Sequence, residues 1–93
     1  MQSLTLTNHA KLRIQQRGIP GDVLKFIMDQ ADKVEYSRDG ANAIFVSRKR
    51  IKKLIQKKAV KPALAEKANG VVLIENGGDV LTVFHQTRSR LKH

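Results

Sequence analysis

Apolar residues recur along this chain in short segments, and each segment has its own period. Leu4 and Leu6 alternate with polar neighbours from Ser3 to Thr7, which reads as a short strand or an extended lead-in. From there to Pro20 the pattern turns helical. Thr7 or Asn8 can cap this first helix by accepting a bond from a free N–H of its first turn, and Gly18 stops it. Pro20 to Ala31 predicts a second helix with Val23, Leu24, Phe26 and Ile27 as its apolar side and Asp22 at its positive end. Lys33 to Ser37 and Ala41 to Val46 read as two strands of a hairpin, reversed at Arg38-Asp39-Gly40. Ser47 is placed to cap a third helix, Arg48 to Lys58, whose Ile51, Leu54 and Ile55 stand at i, i+3 and i+4. A short helix from Pro62 to Ala68 ends at Asn69-Gly70. Val71 to Glu75 is apolar on both faces for four residues, as in a strand covered on both sides, and Asn76-Gly77-Gly78-Asp79 turns it into Val80 to Gln86.

The predicted order is α-α-β-β-α-α-β-β. It describes one α+β domain over residues 1–93, with helices packed on one face of an antiparallel sheet of about four strands. Cysteine is absent, so thiolate zinc sites are excluded and no oxidising compartment is needed. No apolar run approaches the roughly 20 residues of a bilayer span, and the N-terminus lacks the pattern of a signal peptide. A cytosolic location is expected, with no membrane partner.

Charge changes the picture more. The net charge is +10, and it is unevenly placed: residues 1–46 carry six basic and five acidic side chains, net +1, while residues 47–93 carry twelve and three, net +9. A polyanion is the expected partner. The third helix concentrates this field in Arg48, Lys49, Lys52, Lys53 and Lys57, with no acid between Arg48 and Lys61. At minimum those side chains form a solvated face; with Arg90 they also make a track for RNA phosphates.

Candidate chemistry centres on the histidines. His9, Arg13 and Arg17 are spaced four residues apart, which keeps them within an arc of about 80° on the first helix. Leu12 borders that stripe on one side, Ala10 and Ile14 on the other, so it is expected to face the body of the protein or a cleft; the plain alternative is a solvated helix. His85 lies near the end of the last strand, on the face of Leu81 and Val83 by alternation and opposite Val80, Thr82 and Phe84. If the first helix packs on that face, the two imidazoles can approach one another. His9 can equally be read as a capping residue, and His85 as a satisfied core histidine.

Two histidines and several arginines without clustered carboxylates suit metal-free RNA cleavage. One imidazole takes the 2′-OH proton, a second acid protonates the leaving 5′-oxygen, and arginines stabilise the phosphorane-like transition state. No cofactor is expected. The acids stand singly in turns and helix ends rather than in the pairs that metal-dependent nucleases use. P-loop, dinucleotide-binding, zincin and serine-hydrolase motifs are missing, and one Tyr and three Phe are too few for an aromatic RNA-stacking sheet.

The segment H-A-K-L-R-I-Q-Q-R-G-I-P at His9 to Pro20 resembles the opening of a small bacterial domain family of unknown function with the pattern H-A-x-x-R-x-x-x-R-G-I. That family is similar to the BrnT and RelE toxins, ribonucleases of the fold shared with barnase, EndoU and the colicin ribonucleases. The resemblance covers most of the chain. It implies N-terminal helices against a curved antiparallel sheet, a bacterial cytosolic toxin, RNA (also on the ribosome) as substrate, and an acidic antitoxin or immunity protein as partner. It carries catalytic roles to His9, Arg13, Arg17, His85 and Arg88, with Thr82 and Thr87 as weaker candidates. Two departures stand out: BrnT-type chains have a histidine where Arg17 stands, and their closing S-A-R element is missing. Two other readings compete, a non-catalytic RNA- or ribosome-binding module and a protein-interaction domain for an acidic partner.

Overall fold

Each turn signal in the chain separates two elements, and the computed structural model describes residues 4–86 of them. The elements are β1 (Thr5–Leu6), α1 (Asn8–Gln16), α2 (Gly21–Gln30), β2 (Lys33–Tyr36), β3 (Asn42–Phe45), α3 (Arg48–Gln56), α4 (Pro62–Ala68), β4 (Val71–Asn76) and β5 (Asp79–His85). The strands form one sheet in the order β1-β5-β4-β3-β2. The pairs β2–β3, β3–β4 and β4–β5 are antiparallel, and β4 lies at the centre, where Val71, Val72 and Leu73 are buried.

The expected sheet of about four antiparallel strands therefore needs correction: it has five strands and is mixed. The lead-in Thr5–Leu6 pairs parallel to β5. Its backbone satisfies carbonyls of β5 and of the turn before it, since the Thr5 N–H donates to the Gly78 carbonyl (2.9 Å) and the Thr7 N–H to the Val80 carbonyl (3.1 Å).

A second correction concerns the faces of β5. Ile74 is opposite Thr82 but Glu75 is opposite Val80, so Leu81 is an extra residue in a bulge. One extra residue reverses every side chain before it. Val80, expected opposite His85, shares its face instead and is fully buried. Buried residues of all four helices, among them Ala10, Val23, Ile27, Ile51, Ala65 and Ala68, meet Val71, Leu73, Val80 and Val83 in one core. Complete burial of a side chain such as Ile27 or Leu73 contributes about 1.5–3 kcal/mol.

Thr7 fixes where α1 begins. Its Oγ1 accepts from the Ala10 N–H (3.1 Å) and donates to the Val80 carbonyl (2.9 Å), so one hydroxyl caps the helix and ties it to the bulge. At the other end Gly18, with φ of +64°, closes a Schellman motif in which the Ile19 N–H reaches the Ile14 carbonyl at 3.0 Å. The end of α3 repeats this motif with Lys58 in the left-handed position, so the helix stops at Gln56 rather than at Lys58. Ser47 caps α3 by accepting from the Arg50 N–H (3.1 Å), and its own N–H and Oγ donate to Asp32 at 2.8 and 2.7 Å. Arg50 donates in turn to Gln30 at 2.8 Å, which joins the end of α2 to the start of α3.

Candidate functional site

Because Thr7 is held at Val80, α1 starts beside the beginning of β5, and its exit turn reaches the end of that strand. There Arg17, Gly18, Ile19, Pro20 and Val23 face Lys67, Val71 and His85 across a cleft of about 220 Å³. Ile19, Val23 and Val71 are buried and make its apolar floor, while the exposed side chains of Arg17, Lys67 and His85 form the rim.

The backbone decides how His85 is seated. It pairs with Val71, the first residue of β4, so the imidazole comes to rest beside the preceding glycine. Gly70 has φ of +92°, and a Cβ there would stand 3.4 Å from the His85 Cε1 and 2.7 Å from the Gln86 carbonyl oxygen. The Gln86 N–H closes the junction with a 2.6 Å bond to the Gly70 carbonyl. The rim of this cleft combines two cations with one imidazole, and its lining includes no carboxylate. Such an arrangement can hold a phosphodiester and move a proton beside it.

Of the residues singled out in the sequence, Arg17 and His85 are brought together. His9 is not with them: it is exposed in the first turn of α1, at the Val80 end, about 12 Å of helix rise from Arg17. The approach of His9 to His85 that packing of the first helix on this face would allow is therefore not formed. Arg13 is half-buried one turn before Arg17 and is outside the cleft lining. Leu12, expected to bracket the stripe as an apolar neighbour, is 50% exposed. Thr82 pairs with Ile74 on the opposite face of the sheet from His85. Thr87, Arg88 and Arg90 lie outside the described residues.

Lys67 joins the cleft without having been singled out. In P-A-L-A-E-K-A the buried residues are Ala65 and Ala68, so the helical period marks Lys67 only as solvent-facing. It shares the cleft with His85 because α4 leads into β4, whose first residue, Val71, is paired with His85.

On α3 the basic side chains form a solvated face. Arg48, Lys49, Lys52, Lys53 and the C-cap Lys57 are exposed, whereas Ile51 is buried and Leu54 and Ile55 are half-buried. Arg50 differs from its neighbours because its guanidinium is engaged by Gln30. The Asp32 carboxyl beside it is subject first to desolvation, which raises its pKa. The Ser47 backbone N–H, the Ser47 hydroxyl and the Arg50 charge outweigh that and hold it below the ordinary aspartate value.

No helix of the described residues is long and apolar enough to cross a membrane. Among the described residues no group of three or more His, Asp or Glu is placed to hold a metal ion. Comparison of the chain with protein-family models, with curated proteins and with solved structures returned no match.

Proposed function

We propose that the chain is a metal-independent endoribonuclease of toxin type, related to BrnT and RelE, acting in the bacterial cytosol and neutralised by an acidic antitoxin. The observation that carries this reading is the cleft shared by Arg17, Lys67 and His85. With a scissile phosphate on the rim, the His85 imidazole accepts the 2′-OH proton as O2′ attacks phosphorus. Arg17 stabilises the charge that builds on the phosphoryl oxygens. The P–O5′ bond then breaks, Lys67 donates a proton to O5′, and the products are a 2′,3′-cyclic phosphate and a 5′-hydroxyl. The α3 track holds flanking phosphates.

The test is RNA incubated with the purified protein in excess EDTA, followed by mapping of the ends. Cleavage with cyclic phosphate ends is expected to persist. His85→Ala should lower the rate by about 100-fold or more at unchanged circular dichroism, and His9→Ala by less than about threefold. Equal losses in the two variants would move the reaction away from this cleft. Intact RNA with salt-sensitive binding would instead favour a non-catalytic RNA- or ribosome-binding module, the reading that the exposed basic face of α3 supports by itself.

A further inference from the structure

Among the described residues the sheet ends on β2, which pairs with β3 through four consecutive positions from Lys33↔Phe45 to Tyr36↔Asn42 without a bulge. Edge strands are normally blunted by short length, charged side chains, proline, bulges or a covering segment, because free N–H and C=O groups at an edge recruit another strand. One charge of each sign stands on β2, Lys33 and Glu35, which repel most partners but can pair with each other. β2 contains no proline, and all four of its residues are exposed. The opposite edge, β1, is two residues long.

The side chains of β2 divide by face. Val34, opposite Ile44, and Tyr36, opposite Asn42, point to the helix side. They are 43% and 79% exposed, and they border an open groove of about 340 Å³ to which Leu4, Met28 and Ile44 add apolar surface. Lys33 and Glu35 point to the other side. This order is self-complementary. When β2 is laid antiparallel on a second β2 with Val34 opposite Val34, Lys33 of each copy stands opposite Glu35 of the other. The neighbouring registers that keep the faces aligned set Lys33 against Lys33, or Glu35 against Glu35. Like charges directly opposite are destabilising and unlike charges stabilising, so one register is selected. The pairing asks of Glu35 one more bond beside those within its chain, which a carboxylate can accept.

We propose that β2 is a self-association edge that joins the sheet to that of a second copy, with Val34 on the two-fold axis. Charge argues for a second copy rather than a polyanion. Asp32 to Asp39 contains three acids and two bases, and this edge lies in the half of the chain with net +1. Copies that repel elsewhere at +10 can meet there. A four-residue edge buries less than a stable dimer interface needs, so association is weak and concentration-dependent.

The chain has no cysteine, which makes disulfide trapping clean. Directly opposed Cα atoms in an antiparallel pair are about 4.5–5.5 Å apart, within disulfide reach. Val34→Cys should therefore form a linked dimer under mild oxidation. Tyr36→Cys should remain unlinked, because its counterpart is four residues along, about 13 Å away. In sedimentation equilibrium Lys33→Glu and Glu35→Lys should each weaken association by about tenfold, and the two together should restore it. Monomeric wild-type protein at millimolar concentration, equal linking at both cysteine positions, or single reversals without effect would each overturn the proposal. If a cysteine variant does not fold, the charge-reversal series decides alone.

Discussion

Gly70 and Gln86 are bound through a 2.6 Å hydrogen bond, and a Cβ on Gly70 would lie 2.7 Å from the oxygen of the same Gln86. A glycine at this junction is therefore required twice, once by φ of +92° and once by the backbone it touches. Gly70→Ala should cost about 2–3 kcal/mol. That corresponds to a fall in Tm of roughly 10–20 °C for a domain of this size. Because the 2.7 Å clash falls on the backbone of Gln86, the residue next to His85, the cleft should be displaced as well. Thermal unfolding and RNA affinity measured on one preparation check both effects.

Lys58 presents the opposite case. It occupies a left-handed position at φ of +56°, where Gly18 stands in the equivalent motif of α1. Lys58→Gly should raise stability by about 0.5–1 kcal/mol, since relief of the left-handed strain exceeds the added freedom of the unfolded chain. Urea unfolding should show a higher midpoint at an unchanged slope.

Ser47 links the β3–α3 turn to Asp32, and this link carries a pH signature. The Asp32 pKa is lowered in the folded protein, so its contribution is fully present above the unfolded aspartate value near 3.9 and is lost as pH falls through the depressed folded value. Ser47→Ala removes a helix cap and a donor to Asp32, and should cost about 1–2 kcal/mol at pH 7. Below about pH 3 the two proteins should differ by less. Urea unfolding at pH 7 and pH 2.5 checks the sign: a gap that widens in acid would contradict it.

Phosphate binding and turnover should separate between α3 and the cleft. Replacing Lys52, Lys53 and Lys57 together by Gln should weaken RNA binding and reduce the slope of log K against log salt by about 2, for roughly 0.7 per contact on a single strand. Turnover at saturating RNA should change little. Arg17→Ala should lower turnover itself by about tenfold or more, with a smaller change in salt slope. The same change in both quantities from both variants would remove the distinction between track and cleft.

Much of the local architecture was legible in the residue order, because its causes are local. Thr7 and Ser47 carry the short hydroxyl side chains that caps need, Asn69-Gly70 supplies a left-handed exit, and the apolar run from Val71 marks a strand buried on both faces. Arg17 and His85 were identifiable as residue types suited to phosphate and proton transfer.

What assembles them was decided by contacts between distant parts of the chain. The bond from Thr7 Oγ1 to the Val80 carbonyl joins residues 73 positions apart, and it sets β1 parallel to β5 and aligns α1 along that strand. The bulge at Leu81 turns Val80 inward, and the Val71–His85 register places His85 on the same cleft as Lys67 while His9 stays at the far end of α1. Helical and strand periods report which side of an element is buried. They do not report which distant elements meet, because the pairing of segments far apart in sequence is decided by backbone bonds and packing that form only in the folded chain.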